Sequence, residues 1–220
     1  MAWQWQLWLS PRPLHRTPNT KLKSFMSAGN MARFDILDEP DGSWTVQETH
    51  FIDNPHVRAG RSGPPLHIHL KQDEYFEVEQ GILAAEIDGK EHKLTKGDGP
   101  LVIYRNSRHR FWSHPSSTES LIFRGRADPC KDEDNILDLN FLRNLTGYIA
   151  DALDAGLQPS GFQLILFAHE ATTLMCPPFL NWMPIWLLKR VHFFLAVCVA
   201  ETILGYKRSY PEYTIKPGSD

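Results

Sequence analysis

Two stretches of the chain hold residues whose types and spacing suit a metal ion. The first, GPPLHIHLKQDEYFEVEQG (63–81), contains His67, His69 and Glu74 and closes on Gly81. The second, GDGPLVIYRNSRHRFWS (97–113), contains His109. Side chains alternate between the faces of a β-strand, so His67 and His69 point one way while Leu66, Ile68 and Leu70 point the other. In the next run Glu74 shares a face with Phe76 and Val78, and Tyr75, Glu77 and Glu79 take the opposite face. An apolar inner face thus carries a carboxylate, which is costly to bury without a cation or hydrogen-bond donors. His109 lies in another alternating segment, on the side of Phe111 and opposite Arg110 and Trp112. Three imidazoles and a carboxylate suit a divalent first-row metal. A single anionic ligand leaves net positive charge at the ion, which favours a bound water, anion or enolate. Six-fold coordination would leave two positions open, as a catalytic site requires.

One histidine on an apolar face is usually a packed residue, and HxH alone is weak evidence. The signal is the ordered series: HxH, four residues, Glu, six residues, Gly, then a hairpin and a third histidine. The elements that must position it are short strands. Asp41-Gly42 turns into an alternating segment with Trp44, Val46 and Phe51, and a Pro-, Gly- and Arg-rich loop (53–65) leads into the HxH strand. Asp88-Gly89 between two alternating runs predicts a two-residue hairpin turn. Further strands are expected at 100–104, 108–113 and 119–125, a spacing that fits a barrel or jelly roll. His92, just past the hairpin among Lys90, Glu91 and Lys93, is expected to face solvent.

With these residues in place the chain resembles the cupins. The first cupin motif matches at His67, His69, Glu74 and Gly81, with the leading glycine displaced to Gly63. The second matches at Gly97 and His109. Cupins often carry Pro and Gly before the last histidine; Tyr104 and Asn106 stand there instead, and Asn tolerates a left-handed turn. The resemblance implies a mainly β fold: a cupin-type β-barrel (double-stranded β-helix or jelly roll) followed by a C-terminal α-helical segment. It implies one divalent ion held by His67, His69, Glu74 and His109, with Fe(II) first in line and Mn, Ni, Cu or Zn as alternatives. It does not select a reaction, because cupins include oxygenases, isomerases, decarboxylases, hydrolases and plain binders.

The 220 residues suffice for one core and an appendage. A net charge of −3 with 22% charged residues argues against nucleic-acid binding through bulk electrostatics. Cys130, Cys176 and Cys198 show no paired spacing, which fits a reducing, cytoplasmic compartment. Residues 1–34 contain no Asp or Glu but hold Arg12, Arg16, Lys21, Lys23 and Arg33. They are expected to be a disordered or transit-like extension, which keeps a mitochondrial location open. The barrel is expected over 35–130 and a helical extension over 131–220.

In that extension DEDN (132–135) reads as a cap for a helix ending near Gly156, and 161–175 as a second helix stopped by Pro177-Pro178. The sequon at Asn144 falls inside the first helix, against glycosylation. A third segment, 184–204, is long enough to cross a bilayer but is interrupted by Lys189, Arg190, His192 and Glu201. Three readings stay open: packing on the barrel or on a second subunit in a homodimer, lying in a membrane interface, or spanning it.

Around the ligands, Phe76, Ile103, Tyr104, Phe111 and Arg124 are candidate pocket residues. Arg124 could pair with an anionic substrate, whereas Arg105 and Arg126 read as a solvated rim. Glu74 is the candidate proton acceptor as well as a ligand. Three functions fit. One is a non-haem iron oxidoreductase of dioxygenase type, acting on a small aromatic or polyketide-like molecule, as in similar cupins of microbial secondary metabolism. Another is an oxygen-independent isomerase, cyclase or decarboxylase using the ion as a Lewis acid. The third is a non-catalytic metal- or ligand-binding cupin at a membrane.

Overall fold

Short alternating segments punctuated by turn residues fold into two antiparallel sheets whose facing sides form the core. The computed structural model describes residues 3–130 and 136–215. One sheet has the order β1 (Ser24–Met26), β2 (Ala32–Asp38), β3 (Trp44–His50), β10 (Leu121–Asp128), β5 (Asp73–Gln80), β8 (Leu101–Ile103). The other has the order β11 (Thr173–Met175), β4 (His67–His69), β9 (His109–Ser113), β6 (Leu83–Ile87), β7 (Lys90–Leu94). The alternation read from sequence is the one observed: Glu74, Phe76 and Val78 are buried along β5, and His109, Phe111 and Ser113 along β9. Phe76, Val78, Ile103, Leu121 and Phe123 of the first sheet pack on Leu83, Ala85, Leu94 and Phe111 of the second. The rings of Phe76, Phe111 and Phe123 meet edge-to-face with centroids 4.8, 5.4 and 5.5 Å apart, the favoured aromatic geometry.

Turn chemistry sets the register. Asp88 and Gly89 both adopt positive φ (50° and 82°) between β6 and β7, the mirror-image turn that suits a hairpin. Asn106 takes φ 70° in the loop before β9, and its N–H donates to the His69 carbonyl at 2.8 Å. Gly63 lies hard against β9: a Cβ there would meet the Phe111 carbonyl oxygen at 1.5 Å, so only glycine lets the loop pass.

Residues 3–34 are not a free extension. A short helix, α1 (Gln4–Leu9), docks through Gln6, whose side chain donates to the Ile203 carbonyl at 2.9 Å, and Ser10 bonds the Tyr206 hydroxyl. Two of the basic residues in this segment have structural partners. The Arg12 guanidinium stacks 3.7 Å from the Tyr206 ring and donates to Leu204 O, and Arg16 stacks 3.8 Å from the Tyr210 ring. Asn19 is buried and donates to Arg143 O at 2.9 Å, and β1 and β2 extend the first sheet across the expected boundary at residue 34.

The C-terminal region is helical in the main: α2 (Pro55–Arg58) is a single turn in the loop before β4, and α3 (Leu139–Asp154), α4 (Gly161–Glu170), α5 (Ile185–Phe193) and a π-helical continuation, α6 (Phe194–Ile203), follow the barrel. The expected DEDN cap lies outside the described residues; Asp138 caps α3 through its side chain, which accepts from Phe141 N at 2.6 Å. Asn144 is buried on α3 and bonded to Asn140, Tyr210 and Thr214, in line with the reading against glycosylation. The second segment departs from expectation. Its helix stops at Glu170, Thr172 takes φ 47°, and residues 173–175 extend as β11, with β-branched and apolar side chains suited to an edge strand. The boundary at 130/131 is therefore crossed by the sheet itself.

Leu188 of α5 packs with Ile68, Leu174, Cys176 and Met183 on the outer face of β4 and β11. Ala196, Ala200 and Leu204 pack against Leu166 and Tyr206. The third segment thus lies on the protein, with Trp186, Lys189, Arg190 and Phe193 turned outward. Among the described residues no helix is long and apolar enough to cross a membrane.

Removing residues 1–23 should therefore destabilise the chain. The Gln6, Ser10, Arg12 and Asn19 contacts go with it, and each buried hydrogen bond is worth about 1 kcal/mol. At roughly 2–4 °C per kcal/mol for a chain of this size, a thermal melt should drop by about 6 °C or more. An unchanged midpoint would show the segment to be a passenger.

Candidate metal centre

The four ligand candidates come from three strands and both sheets. β4 supplies His67 and His69, β9 supplies His109 opposite His67 in register, and β5 of the other sheet supplies Glu74, opposite Ile103. One nitrogen from each ring and one carboxylate oxygen all lie within 4.8 Å of one another, and all four residues are buried. His67 Nε2 is 3.1 Å from His69 Nε2, His69 Nε2 is 3.3 Å from Glu74 Oε1, and His109 Nε2 is 2.8 Å from Glu74 Oε2.

The protons are placed by the other ring nitrogens. His67 Nδ1 lies 2.9 Å from the Pro65 carbonyl and His109 Nδ1 lies 3.1 Å from the Ser107 carbonyl. A carbonyl only accepts, so both Nδ1 atoms carry hydrogen and both rings turn Nε2 inward. His69 Nδ1 lies 2.9 Å from Thr173 Oγ1, and that hydroxyl lies 3.3 Å from the Ala171 carbonyl. Lone pairs and a carboxylate thus converge on one small volume. His109 Nε2 and Glu74 Oε2 are buried 2.8 Å apart, and neither has a hydrogen-bond partner elsewhere.

Such a cluster demands positive charge. Burial, then the neighbouring His109 and His69, pushes the His67 imidazole down to about 3, so it is neutral at ordinary pH. Burial alone would raise the Glu74 carboxyl, but the adjacent His69 and His109 outweigh it and hold it well below the usual carboxylate range. Without an ion, the positive partner of Glu74 must be a proton shared with one of these rings. A divalent ion would replace that proton and satisfy all four donors at once. The donor set, three nitrogens and one oxygen, suits a first-row transition metal.

His67 and Glu74 keep 6% and 8% of their surface exposed, against 2% for His69 and 1% for His109, so the approach from outside lies on their side. Phe76, Ile103 and Phe111 lie buried in the core between the sheets. Two candidates do not. Tyr104 is 67% exposed, because β8 ends at Ile103 and the chain turns outward towards Asn106. Arg124 alternates with the inward Phe123 on β10, projects from the outer face and pairs with Glu79 at 2.6 Å. Arg105 and Arg126 lie on the rim, paired with Asp73 and stacked on Tyr75. His169 and His192 stack on each other, and no further cluster of three or more metal-ligating side chains occurs among the described residues. Thr173 is the residue that sequence reading missed. It lies 104 residues beyond His69, in a stretch with helical apolar spacing, so no local signal marks it.

No family model matches the chain. It is 62% identical over 205 residues to Oxidoreductase iacF of Pestalotiopsis fici, covering 93% of this chain and 100% of that one. It is 47% identical over 218 residues to Probable oxidoreductase virH of Hypocrea virens, covering 99% and 98%. It is 36% identical over 206 residues to Epoxidase atD of Aspergillus terreus, covering 84% and 61%. Part of the chain superposes on KdgF from Halomonas sp. with a TM-score of 0.38 and 18% identity, over 49% of this chain and 87% of that one. With two facing antiparallel sheets, the His-x-His, Glu and His series on their inner faces, and relatives spanning nearly the whole chain, the protein belongs to the family of cupin oxidoreductases that includes these fungal enzymes.

Proposed function

We propose that the centre binds one Fe(II) ion and that the protein oxidises a small aromatic or polyketide-like molecule with dioxygen. The observation that carries this reading is the convergence of three inward-turned Nε2 atoms and the Glu74 carboxylate in a buried site. The relatives named oxidoreductase and epoxidase support redox chemistry. Similarity to cupins of microbial secondary metabolism supports the substrate class.

A bound ferrous ion would supply Lewis acidity and one-electron chemistry towards oxygen. The chain supplies the rest. His67, His69 and His109 hold the ion as neutral donors, so the site keeps net positive charge and attracts a phenolate or enolate. Glu74, ionised and slightly the most exposed of the four ligands, has a carboxylate oxygen that can accept a proton from an entering hydroxyl. Phe76 and Phe111 occupy the next inward positions after Glu74 on β5 and His109 on β9 and pack on each other, so this side of the centre is apolar, which suits an apolar substrate.

Gently purified protein should contain near one iron per chain and consume oxygen when a phenolic or enolisable compound is added. Zinc or nickel with no oxygen uptake would select the Lewis-acid alternative, and no metal at all would sink the site assignment. His67→Ala or His109→Ala should each weaken metal binding by more than about 100-fold, the upper end for residues that merely orient a ligand. Retention of full metal content by both variants would show these are not ligands. Glu74→Gln should keep more metal than either histidine variant but lower turnover by about 10²–10⁴, the usual contribution of a positioned base.

A further inference from the structure

His67 and His109 are set by their own strands: in each, the acceptor for Nδ1–H is the carbonyl two residues earlier. His69 is different. Its Nδ1 partner is Thr173 Oγ1, on β11, in the segment that follows the barrel. The Thr173 hydroxyl has one hydrogen, and the Ala171 carbonyl, 3.3 Å away, can only accept it. Oγ1 therefore faces His69 as an acceptor, and the His69 proton is drawn to Nδ1. The relay runs from His69 Nδ1–H to Thr173 Oγ1–H to Ala171 O, and it leaves His69 Nε2 free for an ion.

The relay is dry and held from both sides. Thr173 and His69 are 3% and 2% exposed, so water is not a ready substitute. β11 pairs with β4 residue for residue, Thr173 opposite His69, Leu174 opposite Ile68 and Met175 opposite His67. Leu70 N donates to Thr172 O, and Cys176 N to Leu66 O at 2.8 Å, closing both ends of the ladder. On the outer face, Leu188 and Met183 cover Ile68 and Leu174.

We infer that Thr173 is a positioning residue for the metal centre, and that docking of β11 sets the tautomer of His69 and so controls metal loading. Without the hydroxyl, the Nδ1 proton loses its acceptor and moves to Nε2, where it blocks a ligand position. This rests on the metal reading of the four ligands.

The test uses the full chain with Thr173→Val, which keeps the shape and loses the hydroxyl, and Thr173→Ser, which keeps the hydroxyl. In metal-free protein, nitrogen NMR of the histidine rings should show a protonated Nδ1 for His69 in the wild type and Thr173→Ser, and an unprotonated Nδ1 with hydrogen on Nε2 in Thr173→Val. His67 and His109 should keep a protonated Nδ1 in all three, which also certifies that the valine variant is folded. Fe(II) and Co(II), each titrated against a chelator, should bind Thr173→Val about 10–100-fold more weakly than wild type, with serine restoring affinity. Were the valine variant misfolded, Thr173→Ser would carry the test, since loss of the His69 Nδ1–H form with the hydroxyl present overturns the proposal. A Thr173→Val protein with unchanged tautomer and affinity overturns it too, and leaves the metal reading intact. A wild type that binds neither metal overturns the metal reading, while the tautomer data still decide whether Thr173 sets His69.

Discussion

Placing four electron-rich atoms in one buried volume is the constraint around which this protein is built. Neutral Nε2 lone pairs and a carboxylate repel one another unless a positive charge sits among them, and burial removes the water that would otherwise screen them. The surrounding structure opposes their separation. His67, His69 and His109 lie on adjacent strands whose pairing sets their spacing. Glu74 is pressed towards them from the facing sheet by the packing of Phe76 on Phe111 and Phe123. Acceptors on the far side of each ring hold the protons away from the centre. Packing thus supplies what the electrostatics oppose, and an ion would be the component that relieves it.

The two ends of the chain serve the same purpose from a distance. Arg12 and Arg16 stack on Tyr206 and Tyr210, while Tyr213 bonds Asp151 on α3. These contacts tie the N-terminal segment to the C-terminal tail and bring α3, α4 and the helices after them into one body. That body delivers β11 to the edge of β4 and covers its outer face. Two cations of this basic, acid-free N-terminal segment are thereby matched to aromatic faces.

The strands and the four ligands were legible because both depend on local periodicity. A period of two puts His67 with His69 and Glu74 with Phe76 whatever lies elsewhere, and Asp88-Gly89 marks its turn without help. What was not legible depends on partners remote in sequence. Arg12 looks like a transit residue until Tyr206 is found beneath it. Thr173 looks helical because its neighbours are apolar, and only the open edge of β4 draws it into a strand. Tyr104 and Arg124 were misplaced for a more local reason: each sits one residue from an inward-facing side chain, where a shift of one reverses the face.

The position of β11 in the chain has a consequence for how the protein is made. Ribosomes deliver residues in order, and the ligands are complete once His109 has emerged. The acceptor for His69 follows only 64 residues later, at Thr173. A nascent barrel therefore has an open edge at β4 and a ring whose proton is not yet placed. Domains generally fold as they emerge, N-terminal parts first, yet this one completes the surroundings of His69 with a strand that follows the barrel. Loading of an ion would thereby be deferred until the segment after the barrel has emerged, and a truncated product ending before residue 173 carries all four ligand candidates and lacks the Thr173 contact to His69.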